Sequence, residues 1–146
     1  MLIKLIKASA LSVALLLSST ATVFADIAVV VNLENKSDLD VVMVRKIFLG
    51  KLKSFPNGNA VATFDLPDAN PARAEFNKTI LRKSESRLNS YWARMLFSSK
   101  AKPPTLLNSA DDVKAAVASN INAIAYLNED DVDASVRVLL TKKSAD

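Results

Sequence analysis

The chain has 146 residues, 50% of them hydrophobic and 23% charged, with a formal net charge of +4. It contains no histidine and no cysteine, which excludes catalytic triads built on either residue, imidazole or thiolate zinc sites, and disulfide stapling. A chain of this composition depends on an apolar core, and its modest basicity gives no reason to expect a nucleic-acid partner.

Met1 to Ala25 reads as an export signal. Lys4 and Lys7 precede an apolar run that extends through Leu17, and small and polar residues then lead to Val23-Phe24-Ala25. That order places cleavage after Ala25 and the product in the periplasm. The run is short for a transmembrane span. Cleavage leaves residues 26–146, enough for one domain, with two fewer positive charges.

Ile27 to Asn32 is a β-branched run, apolar on both faces, as expected of a buried strand. Ser37-Asp38-Leu39-Asp40 matches a capping box with Ser37 as the cap. The helix it opens carries Leu39, Val42, Met43, Ile47 and Phe48 and runs to about Leu49, with Gly50 at the left-handed position that follows a helix. Phe55-Pro56-Asn57-Gly58-Asn59 is turn chemistry. Val61 to Phe64 forms a second short strand.

Next come Asn70 as an N-cap and Pro71 at the first helical position. Phe76, Ile80 and Leu81 share one face of this helix, which ends near Arg82. Ser84 caps a further helix, where Leu88, Tyr91, Trp92, Met95 and Leu96 follow the spacing of one buried stripe. Phe97 to Pro104 is a basic loop closed by a proline pair. Ser109-Ala110-Asp111-Asp112 is a second capping box, opening a helix with Val113, Ala116 and Val117 inward and an end near Asn120. Ala123 to Leu127 is a third strand, Asn128 to Asp133 an acidic turn, and Val136 to Leu140 a fourth strand. The last six residues are expected to fray. Strands alternating with helices indicate an α/β layer fold with a mixed sheet.

Arg73 stands out chemically. A cation in the first turn opposes the helix dipole unless something negative lies nearby. Either Arg73 pairs with Asp65, Asp68 or Glu75, or it joins the N–H groups of the helix start in holding an anion. Charge is also uneven further on. Lys78, Arg82, Lys83, Arg87, Arg94, Lys100 and Lys102 face only Glu85 in their stretch of chain. Such a run is either a solvated face or a steering and docking surface. Glu129, Asp130, Asp131 and Asp133 lack the glycine and terminal glutamate of a calcium-binding EF-hand loop.

Taken in order, VVVN, KIFLGK, FPNGNAV, an R-x-x-F helix start, YWARMLF, a KPP loop and NAIAYL span nearly all of residues 26–146. This series resembles the phosphate-binding proteins of bacterial ABC phosphate transporters, especially their short stand-alone periplasmic relatives. KIFLGK with the downstream YWARMLF and proline pair is its most specific part. The resemblance implies a single-lobe, type-2 periplasmic-binding-protein-like α/β sandwich, with a mixed sheet of about four to five strands flanked by helices. It implies a non-enzymatic protein without cofactor or metal. Its anion site for phosphate or a related oxyanion would lie at Asn70, Ala72, Arg73 and Ala74, with Arg87, Arg94, Lys100 and Lys102 for steering or docking. The implied partners are a membrane transporter or sensor, or a second copy that supplies the missing wall of the site. The family's Ser-Gly-Thr-Arg turn aligns with Asn70-Pro71-Ala72-Arg73, so only the arginine is kept, and Asn122 and Ala125 replace both glycines of its GAIGY strand. These departures support an alternative, a secreted interaction or sensory module with a degenerate ligand site.

Overall fold

A computed structural model describes residues 26–144, and the expected signal at Met1–Ala25 lies outside them. Five strands form one mixed sheet in the order β3-β2-β4-β1-β5. β1 (Ile27–Val31) is wholly buried, as its unbroken apolar run requires. β4 (Ala123–Asn128) pairs with it antiparallel, Ile27 opposite Asn128 and Val31 opposite Ile124. β5 (Arg137–Lys142) flanks β1 on the other side, also antiparallel, with a register shift between Val29 and Val30. β5 therefore starts one residue later than expected and runs further. Thr141 and Lys142, expected to fray, are instead paired with Ala28 and Ile27.

β2 (Ala62–Asp65) lies parallel to β4, and the two-residue β3 (Thr105–Leu106) lies parallel to β2 at the edge. The sheet is covered by α1 (Val41–Phe48), α2 (Pro71–Phe76), α3 (Glu85–Phe97) and α4 (Ala110–Ser119). An aromatic cluster ties two of these helices to β4. Phe76 stacks on Tyr126 with ring centres 3.9 Å apart, and Phe48 meets Phe76 edge-on at 4.8 Å. Such pairs contribute about 0.5–1.5 kcal/mol beyond the area they bury.

α1 begins later than the Ser37 capping box implies. Asp40 is its cap, and its carboxylate accepts from the Met43 N–H at 2.8 Å. Ser37 is held out of the helix by the far end of the chain. The Arg137 guanidinium donates to the carbonyls of Asn35 (2.7 Å) and Ser37 (2.8 Å), and Asn35 Oδ1 accepts from the Ser37 N–H. The C-terminus of α1 follows its glycine signal: Gly50 has φ +69°, with Gly50 N–H donating to Ile47 O and Lys51 N–H to Lys46 O.

α2 runs on into a wider-wound π turn at Asn77–Leu81, which stops where Arg82 turns left-handed, at the expected boundary. α3 is capped by Ser84, but its apolar stripe is only half used. Leu88 and Tyr91 are buried, Trp92 and Met95 are half-buried, and Leu96 is 55% exposed. α4 opens as expected, with Ser109 Oγ accepting from Asp112 N–H and with Val113 and Val117 buried.

Candidate functional site

The parallel pair β2 and β4 brings Asp65 and Tyr126 toward one edge of the sheet. In open α/β sheets, the carboxyl ends of the strands and the helix starts above them are where ligands bind. The loop after Asp65 turns at Pro67 to Asn70, whose N–H donates to the Pro67 carbonyl at 2.9 Å. Asn70 Oδ1 then accepts from the Ala72 N–H at 3.0 Å, and the Asn70 carbonyl accepts from the Arg73 N–H at 3.0 Å. The Asn70, Ala72, Arg73 and Ala74 group thus sits together on one turn, with the Ala72 amide engaged by the cap.

Arg73 reaches back from this turn into a ring of carboxylates. Its Nη1 donates to Asp65 (3.1 Å) and to the Leu66 carbonyl (2.8 Å). Its Nε and Nη2 grip the two oxygens of Glu85 at 3.2 and 2.6 Å, and Asp68 lies 3.3 Å from Nε. The Arg73 side chain is only 12% exposed. Tyr126 donates its hydroxyl proton to Asp65, and Asn77 Nδ2 donates to Glu85 at 2.8 Å. Both edges of the guanidinium are therefore filled from within the chain.

Electrostatics follow the geometry. Burial pushes the Asp65 carboxyl above its ordinary value, against the opposing pull of the Tyr126 hydroxyl and the Arg73 charge. Burial and the neighbouring Asp65 raise the Tyr126 hydroxyl far above its ordinary range, so it is a fixed donor. Burial lowers Arg73, but Glu85 and Asp65 outweigh it and the guanidinium is held more firmly protonated. One cation faces three carboxylates.

Two of the sequence-expected partners, Asp65 and Asp68, are present. The third is Glu85 and not Glu75, which is buried elsewhere in α2. Glu85 sits in the first turn of α3, twelve residues from Arg73, and the left-handed residue Arg82 sets the bend that brings it back. The cationic group is placed differently. Arg87, Arg94, Lys100 and Lys102 are all exposed and join none of the ion pairs among the described residues. Arg87 and Arg94, two turns apart, share one flank of α3. In the acidic turn, Asp133 is held at about 2 by the Ser135 hydroxyl and N–H, with Lys114 adding to the effect. No group of three acidic residues fit to hold a metal is found among the described residues.

No family model and no curated protein sequence matches the chain. Solved structures do. The fold is similar to an ABC-type phosphate transport receptor from Vibrio cholerae, with TM-score 0.62 and 19% identity over 80% of this chain and 46% of that one. It is equally similar to a putative phosphate ABC transporter substrate-binding protein with bound phosphate from Clostridium perfringens (TM-score 0.62, 21% identity, 80% of this chain and 45% of that one). A possible phosphate-binding protein from Planctomyces limnophilus follows, with TM-score 0.50 and 13% identity over 73% and 37% of the two chains. The chain thus has the α/β fold of these substrate-binding proteins and spans less than half the length of each.

Proposed function

We propose that this chain is an exported, non-enzymatic interaction domain built on one lobe of the phosphate-receptor fold, in which Arg73 serves as a structural clasp. The observation that carries this reading is the enclosure of Arg73 by Asp65, Asp68 and Glu85. An oxyanion arriving at the Asn70–Ala74 turn must displace Glu85 and approach the remaining carboxylates against like charge. A one-sided, partly wet site returns only about 0–1 kcal/mol per charge contact. Export through Met1–Ala25 brings the domain to a membrane transporter or sensor, and the free cations Arg87, Arg94, Lys100 and Lys102 form the docking face. Calorimetry against inorganic phosphate, together with co-purification from membranes, tests this. The expected result is no phosphate heat at millimolar concentrations, and membrane association that is lost in Arg87→Glu/Arg94→Glu. Phosphate binding that disappears in Arg73→Met would overturn it.

A second reading is favoured by the fold, one of whose solved examples carries phosphate. Here the Asn70, Ala72, Arg73 and Ala74 turn is a working oxyanion site that opens when Glu85 swings away, and a second copy supplies the other wall. Under this reading phosphate raises the melting temperature, promotes a dimer in sedimentation, and binds more tightly to Glu85→Gln.

A further inference from the structure

Of the motifs that carry the sequence resemblance, R-x-x-F and NAIAYL meet at the Arg73 cluster, through Arg73 and Tyr126 on Asp65, and the others do not. KIFLGK, the strand after FPNGN, YWARMLF and the KPP loop instead converge on a cleft of about 420 Å³ beside the amino end of β2. Gly50 forms part of its floor. A Cβ there would stand 2.7 Å from the Ala101 Cβ and 3.6 Å from the Trp92 ring, so glycine is demanded by space as well as by φ. The apolar wall is made by Ile47, Phe48, Val61 and the half-buried Trp92. Lys53 and Lys102 also line it, both exposed, and Lys53 Nζ donates to the Lys100 carbonyl at 2.8 Å, which ties the KPP loop across the cleft. Among the described residues that line the cleft there is no carboxylate.

We propose that this cleft binds a small carboxylate with an apolar or aromatic body. The volume lies at the lower end of the range of ligand pockets, about 300–1,000 Å³. A bare inorganic oxyanion leaves the aromatic and aliphatic wall unused. A neutral apolar ligand leaves both ammonium charges without a counter-charge, since Lys53 meets only the neutral Lys100 carbonyl and Lys102 joins no ion pair among the described residues. An acid with a short hydrophobic body matches both, its chain over the Trp92 ring and its carboxylate between the lysines. The site is separate from the Arg73 cluster, which lies at the other end of β2 and is already satisfied.

Trp92 is the only tryptophan in the chain, so its emission reports on this cleft. The purified protein is titrated with 4-phenylbutyrate, with 4-phenylbutyramide and with inorganic phosphate. The expected result is a saturable change in Trp92 emission with the carboxylate, and binding at least roughly tenfold weaker for the amide, as loss of a charge-assisted contact implies. The surface double variant Lys53→Gln/Lys102→Gln is expected to weaken the carboxylate to the same degree while its melting temperature stays unchanged. No saturable change, equal binding of the amide, an unaffected double variant, or competition by phosphate would each overturn the proposal. Inorganic phosphate is expected to leave Trp92 emission unchanged and not to displace the carboxylate.

Discussion

The two ends of β2 carry positive charge in opposite ways. At its carboxyl end Arg73 is nearly buried and held by three carboxylates, one of which is itself held by Tyr126. At its amino end Lys53 and Lys102 stand exposed over an apolar cleft without an opposing acid. The first cation carries a local mark in the sequence, its place at a helix start. The second pair has no such local mark. What separates a structural cation from one available to a ligand is its set of neighbours, and these come from distant parts of the chain.

The largest test of this contrast is Arg73→Met. Removing one partner of a buried ion pair leaves uncompensated charge on Asp65 and Glu85 and is expected to cost about 3 kcal/mol in urea unfolding. Lys53→Gln/Lys102→Gln is expected to stay within about 0.5 kcal/mol of the parent, as surface changes do. A loss under about 1 kcal/mol for Arg73→Met would mean that the clasp holds little together and that the arginine is free for another partner.

A smaller effect is expected from Tyr126→Phe. The ring keeps its stacking on Phe76, while Asp65 loses a hydroxyl donor and the Leu66 N–H loses a distant acceptor at 3.4 Å. The expected cost is about 1–2 kcal/mol, the penalty of an under-satisfied buried acceptor. An unchanged stability would show that water replaces the hydroxyl and that the site is wetter than its 16% side-chain exposure at Asp65 implies.

What the sequence made legible was local. Asn70-Pro71, Ser84, Ser109 and Gly50 each act within one turn of a helix, and each stands where its chemistry placed it. Most of the misreadings have a long-range cause. Ser37 satisfies the capping pattern, yet Arg137, a hundred residues on, pulls its carbonyl into an extended segment and leaves Asp40 to cap α1. Glu85 displaced Glu75 as a partner of Arg73 because a left-handed turn at Arg82 folds α3 back over α2. β3 has only two residues, too few to show alternation. Trp92, Met95 and Leu96 fit a buried stripe by spacing, but Trp92 and Met95 pack only partly against the core, while Leu96 is 55% and Phe97 95% exposed. The cleft was invisible for a related reason, since separate segments contribute only a few residues each to it.

The smallest expected effect is also the sharpest on charge. Burial raises the folded Asp65 carboxyl above 3.8, so folding favours its protonated form. Its contribution to stability is present below that ordinary value and is lost as pH rises through the folded one. Asp133, held at about 2 by Ser135 and Lys114, has the opposite sign. Its contribution is present above 3.8 and is lost as pH falls toward 2. Carboxyl carbon NMR over this range is expected to resolve both midpoints. Arg73→Met should move the Asp65 midpoint further up, because the guanidinium is one of the groups pulling it down, and should leave Asp133 in place. The Lys53→Gln/Lys102→Gln variant should move neither. If Asp65 instead titrates below 3.8, the pull of Tyr126 and Arg73 exceeds the penalty of burial. Asp65 then stays ionised at all working pH values, and the like-charge barrier to an oxyanion at the Asn70–Ala74 turn is at its highest.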